Sequence, residues 1–138
     1  MKEWTDEATL DSVSVFAEQI RQELERLNCS PKASRQIRVS VDELLTNIAS
    51  YAYAPGTGKV TVRMWYDEIS GMVSLSFIDS GTAYNPLEHE DPDITMAIAD
   101  RPIGGLGILM VKKKTDGIEY RRENGQNILT IHKRIREE

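Results

Sequence analysis

The feature that most constrains this chain is a change of hydrophobic period near its middle. From Leu10 to Leu27 the apolar residues Leu10, Val13, Phe16, Ala17, Ile20, Leu24 and Leu27 recur at steps of three and four, the period of a helix with one buried face. Thr9 or Asp11 is placed to cap its start. A second helix is predicted from Ser30-Pro31, a serine cap followed by proline at the first helical position. Its face carries Ile37, Val41, Leu44, Leu45 and Ile48, and it should end before Pro55-Gly56. From Lys59 the period drops to two. Val60, Val62, Met64 and Tyr66 fall on one side of a strand, and after a turn near Ser70-Gly71 the residues Val73, Leu75 and Phe77 alternate with Ser74 and Ser76. A short helix is predicted over Leu106 to Lys114, then a hairpin of Ile118 to Arg122 and Asn127 to Lys133 across Glu123-Asn124-Gly125-Gln126. One-faced helices and strands can bury those faces only against one another. The expected fold is therefore α+β, a two-layer sandwich in which helices cover one face of a mostly antiparallel sheet.

With 138 residues, 40% of them hydrophobic, residues 1–138 are expected to form one domain with its own core. A net charge of -5 argues against a nucleic-acid partner held by phosphate neutralisation, and favours a basic protein partner. The single cysteine, Cys29, cannot form an internal disulfide and reads as a small buried residue in a reducing compartment. Met1 to Asp6 lacks the apolar run of a signal peptide and no stretch reaches membrane-spanning length, so a cytoplasmic protein is expected, with no membrane partner.

Three segments look chemical. Glu43 and Asn47 lie four apart on the second helix, in a polar row with Ser40 and Tyr51 along the edge of the apolar stripe. An amide oxygen suits magnesium, and a carboxylate one turn earlier can take a proton; the same spacing also fits a solvated surface pair. Next, Ile78-Asp79-Ser80-Gly81 runs an apolar strand into a carboxylate able to accept an amino proton, with a glycine that lets a base approach the backbone. A plain turn fits there as well. Finally, Gly104-Gly105-Leu106-Gly107 enters an apolar helix, where bare amides suit phosphate oxygens or simply cap the helix. It is neither a P-loop, lacking Gly-Lys-Ser/Thr, nor the dinucleotide fingerprint, since Met110 stands at the third glycine.

Taken in order, these segments resemble the GHKL (Bergerat-fold) ATPase superfamily, and within it the anti-sigma-factor serine/threonine kinases of bacterial partner-switching pathways. Glu43-x-x-x-Asn47 is similar to the N box, Asp79-x-Gly81-x-x-Tyr84-Asn85-Pro86 to the first glycine box, and Gly104-Gly105-Leu106-Gly107-Ile108 to the second. The segment Thr115 to Thr130 resembles the closing hairpin of that branch. Two positions depart from the pattern: Ala83 replaces a second glycine, and Ser50-Tyr51 replaces a histidine that often follows the N box.

The resemblance implies ATP and Mg2+ as cofactors, Glu43 as general base, Asn47 as magnesium ligand and Asp79 as reader of adenine, with Gly81 beside the base. It places Gly104, Gly105 and Gly107 at the phosphates and Thr130 in support of the adenine end. Pro86 to Ile103 becomes an ATP lid whose one basic residue, Arg101, would meet the terminal phosphate; an exposed arginine without that duty fits equally. The implied activity is phosphorylation of an anti-sigma-factor antagonist by a homodimer that also engages a sigma factor. Two other readings stay open. One is an ATP-binding module that sequesters a partner without kinase activity, and the other an ATP hydrolase that drives lid closure.

Overall fold

Two side-chain caps start the helix layer. Thr9, not Asp11, caps the first helix, α1 (Leu10–Arg26), its hydroxyl accepting from Ser12 N at 3.2 Å. Ser30 caps the second, α2 (Pro31–Asn47), accepting from Ala33 N at 3.2 Å. Such caps satisfy amides that a helix start leaves without partners, and each is worth about 1 kcal/mol. Between the helices Asn28 takes a left-handed φ of 58° while Cys29 N bonds Leu24 O at 3.0 Å, so the chain reverses within a few residues. α2 then runs without a break into a π-helical turn, Ile48–Ala52. The computed structural model describes residues 1–88 and 106–136, with the backbone alone for Leu106. The expected lid beyond Glu88, with Arg101, Gly104 and Gly105, lies outside the described residues.

The sheet has five strands, all antiparallel: β1 (Lys2–Glu7), β2 (Lys59–Asp67), β3 (Met72–Asp79), β4 (Gly117–Glu123) and β5 (Gln126–Arg134), in the spatial order β1-β2-β3-β5-β4. A third helix, α3 (Leu106–Lys114), precedes the β4–β5 hairpin. That hairpin closes over two residues, Asn124 (φ 52°) and Gly125 (φ 75°), the positive-φ pair that matches the twist of the flanking strands. The α+β sandwich expected from the pattern is therefore present, and its core joins Phe16, Ile20 and Leu24 of α1, Ile37, Val41, Leu44 and Leu45 of α2 and Val111 of α3 to Val62, Met64, Leu75, Phe77 and Ile131 of the sheet.

Two details depart from the sequence reading. β1 had no counterpart there, because in Lys-Glu-Trp-Thr-Asp-Glu only Trp4 turns an apolar side chain to the core. Its pairing with β2 supplies what its composition lacks: the Thr5 and Thr61 hydroxyls meet at 2.8 Å and Arg63 Nε bonds Glu3 at 2.9 Å on the outer face. Leu10, assigned to the buried face of α1, is 64% exposed, since the first helical residue lies beyond the edge of the sheet layer.

Phe16→Ala is expected to cost about 3–5 kcal/mol in urea-induced unfolding, whereas Leu10→Ala should stay within about 0.5 kcal/mol of the parent protein. Equal effects at the two positions would contradict this account of the core.

Candidate functional site

Along α2 and its π-helical extension, one helical run touches two separate glycines. At one end stands Glu43. Its carboxylate occupies the space that a Cβ at Gly107 would fill, so Gly107 has no side chain because Glu43 lies against its backbone. Gly107 is the second residue of α3, and a carboxylate beside the amino end of a helix is favoured by the partial positive charge there. Asn47, one turn on, donates from Nδ2 to Glu43 Oε1 at 3.5 Å. Its Oδ1 has no hydrogen-bond partner among the described residues.

At the other end is Ala52, the last residue of the π turn. A Cβ on Gly81 would collide with the Ala52 backbone, and Thr82 N donates to Ala52 O at 2.9 Å. Gly81 was expected to make room for a base; the close approach it permits is to the helix end. From Glu43 to Ala52 is nine residues, about 13 Å at a helical rise of roughly 1.5 Å per residue. The helical run thus links two groups of residues, one of Glu43, Asn47 and Gly107 and the other in the loop that follows Asp79. A π turn widens the helix locally, and such turns recur at functional positions.

Asp79 closes β3 and is buried. Its Oδ1 accepts from Gly81 N at 2.9 Å and from Asn127 Nδ2 at 2.9 Å. No group among the described residues donates to Oδ2, yet no buried side-chain polar atom there lacks a partner, so Oδ2 keeps a path to solvent. The loop itself is held on every side. Tyr53 Oη accepts from Ser80 N at 2.8 Å, Arg122 Nη1 donates to Gly81 O at 2.9 Å, and Asn127 Nδ2 donates to Thr82 O at 2.9 Å. This end of the site is an acceptor on a fixed backbone.

Two residues stand where the sequence did not place them. Thr130 does not come near Asp79: it pairs across the strands with Ser76, Oγ1 to Oγ at 2.6 Å, on the face of the sheet turned away from the helices. Side chains alternate along a strand, and Leu129 and Ile131 take the core side, which leaves Thr130 outside. Asn127, paired in register with Asp79, is the β5 residue that reaches its carboxylate. Only a correct register could have found it, because Asn127 opens the predicted strand and nothing in its neighbours says which residue of β3 it faces. Ser40, assigned to the polar row, is fully buried and returns its hydroxyl to Gln36 O at 2.9 Å, while Tyr51 is exposed.

Hydrogen bonds from Arg21 and Gln22 hold Glu18 down at about 2 on the solvent face of α1. Burial pushes the Cys29 thiol up, which suits an inert residue rather than a nucleophile. Among the described residues no helix is long and apolar enough to cross a membrane.

Residues 7–133 match the family model of the histidine kinase-like ATPase domain. The serine/threonine-protein kinase BtrW of Bordetella bronchiseptica is 27% identical over 135 residues, which covers 95% of this chain and 94% of that protein. Among solved structures, the RsbU and RsbW domains of a Mycobacterium tuberculosis protein superpose with a TM-score of 0.68 at 16% identity over 98% of this chain. The histidine kinase domain of a blue-light-activated histidine kinase from Erythrobacter litoralis gives a TM-score of 0.55 at 14% identity over 89%. The chain spans 33% and 61% of those two solved chains, and at such identities they speak for the fold.

The two glycines should respond differently to a methyl group. Gly81→Ala meets backbone and is expected to lose about 3 kcal/mol of stability. Gly107→Ala meets only a carboxylate that can swing aside, so its cost should be smaller and should vanish in combination with Glu43→Ala, as a double-mutant cycle by thermal unfolding would measure. Additive effects of Gly107→Ala and Glu43→Ala would contradict the contact.

Proposed function

The chain belongs to the histidine kinase-like ATPase domain family, and from that premise we propose that it is a protein serine/threonine kinase acting on an anti-sigma-factor antagonist. The observation that carries the proposal is the seating of the Glu43 carboxylate against Gly107, at the start of α3. A proton acceptor beside amides suited to phosphate oxygens is the pairing that phosphoryl transfer to a hydroxyl requires. Binding alone needs the amides but not the acceptor. The match to the kinase BtrW over nearly the full length of both chains supports the same reading.

The roles follow from the two subsites. Asp79 Oδ2, a free acceptor on a fixed loop, takes the amino group of adenine, and the triphosphate extends along the edge of α2 toward Gly107. Gly104 and Gly105 are proposed to meet the phosphates together with Gly107, and Arg101 is the cation proposed for the terminal phosphate. Glu43 accepts the proton of the incoming serine or threonine hydroxyl; its oxygen forms a bond to the γ-phosphorus, the bond to the bridging oxygen breaks, and ADP leaves. Asn47 fits magnesium because Glu43 engages its amide nitrogen while the hard oxygen Oδ1 has no partner among the described residues. When bound there, the ion would offset charge on the phosphates. A sigma factor is the second partner proposed, engaged by a homodimer when unphosphorylated antagonist is scarce.

Incubation with labelled Mg-ATP and a candidate antagonist domain tests the proposal. The parent protein should label the partner. Glu43→Gln should bind nucleotide but transfer on the order of 100-fold more slowly or worse, and Asp79→Ala should lose nucleotide binding. Partner binding without label from the parent protein would mark a sequestering module instead, and nucleotide affinity undiminished in Asp79→Ala would remove the base subsite.

A further inference from the structure

We propose that Asn127 is a positioning residue that aims the Asp79 carboxylate and thereby sets the preference for an amino-bearing purine over a 6-oxo purine. The inference rests on the reading that the base lies at Asp79.

Asn127 is buried in the middle of a network that leaves its amide only one orientation. Tyr84 N can only donate and lies 3.2 Å from Oδ1; Thr82 O can only accept and lies 2.9 Å from Nδ2. The Tyr120 hydroxyl adds a second donor to Oδ1 at 2.5 Å, from the neighbouring strand. With both backbone groups satisfied, Nδ2 must face Asp79, and it donates to Oδ1 at 2.9 Å. Gly81 N donates to the same oxygen. Among the described residues both donors to Asp79 therefore gather on one carboxylate oxygen, and Oδ2 is left as an acceptor.

The asymmetry has a chemical consequence. A pinned carboxylate whose outward atom can only accept welcomes a 6-amino group and faces a 6-oxo group with two lone-pair regions in opposition. A carboxylate free to rotate would present either oxygen at varied angles and discriminate less. Unpaired buried polar atoms make such mismatches costly, so sites built on a single fixed hydrogen bond can discriminate strongly between an amino and an oxo group. Tyr120 and Asn127 thus act through Asp79 without touching the base.

Asn127→Asp keeps the size of the side chain and the acceptor for Tyr84 N but replaces the donor to Asp79 with a second carboxylate, which repels it. Tyr120→Phe keeps the ring and removes only the hydroxyl. Affinities for MgATP and MgGTP are measured by calorimetry on the full chain, with thermal unfolding recorded for each variant. Asn127→Asp should reduce the ratio of ATP to GTP affinity at least tenfold, and Tyr120→Phe about twofold to fivefold. A ratio equal to that of the parent protein in a folded Asn127→Asp variant would overturn the inference; should that variant not fold, an unchanged ratio in Tyr120→Phe does so. Asp79→Ala separates the two levels. If it retains full ATP affinity, the base subsite itself is misplaced, whereas loss of binding in Asp79→Ala with unchanged ratios in the other variants condemns only the role of Asn127.

Discussion

The contact on which the site depends is that between the Ala52 backbone and Gly81, where the end of the α2 edge meets the end of β3. Neither partner can retreat. Ala52 is the final residue of a helical run that begins at Pro31 and is anchored by Ile37, Val41, Leu44 and Leu45 in the core. Asp79 ends the central strand of the sheet, with β2 on one side and β5 on the other. A backbone-to-backbone approach of this kind excludes any side chain, and Thr82 N to Ala52 O turns it into a bond. The loop that follows Asp79 is consequently tied to the end of the helical run that carries Glu43.

From that junction the division of labour along α2 follows. One face of the helix is committed to the core, and the edge beside it carries Glu43 and Asn47. Because both glycines are used where another part of the protein needs the volume, their absence of side chains serves assembly of the site before any ligand is considered. Gly107 admits a carboxylate and Gly81 admits a helix end. A reading of glycine-rich motifs solely as cradles for ligands would miss this half of their work.

The sheet contributes by register. Asp79 on β3, Asn127 on β5 and Tyr120 on β4 stand on three adjacent strands and are linked in sequence by hydrogen bonds. The tight Asn124-Gly125 turn holds β4 and β5 in the alignment that brings Asn127 opposite Asp79. A slip of one residue would turn Asn127 outward and bring Ile128 to the carboxylate. The outer face shows the same economy with other residues, where Ser76 meets Thr130 and Ser74 meets His132 at 2.6 Å.

By itself the sequence determined the two layers, the starts of α1 and α2, the serine cap of α2, and the fact that Glu43 and Asn47 lie one turn apart on a helix, because each of these depends on spacing and neighbours within a few residues. The hairpin was legible for the same reason, from Asn124-Gly125 between alternating runs. Tertiary structure alone decided that Lys2 to Glu7 is a strand, since its stability comes from β2 rather than from its own composition. It also decided that Asn127 and not Thr130 reaches Asp79, that Ser40 is buried, and that Gly81 and Gly107 are filled by the protein itself. Those outcomes turn on which face of a strand or helix meets a distant segment, and no local pattern of residues carries that information.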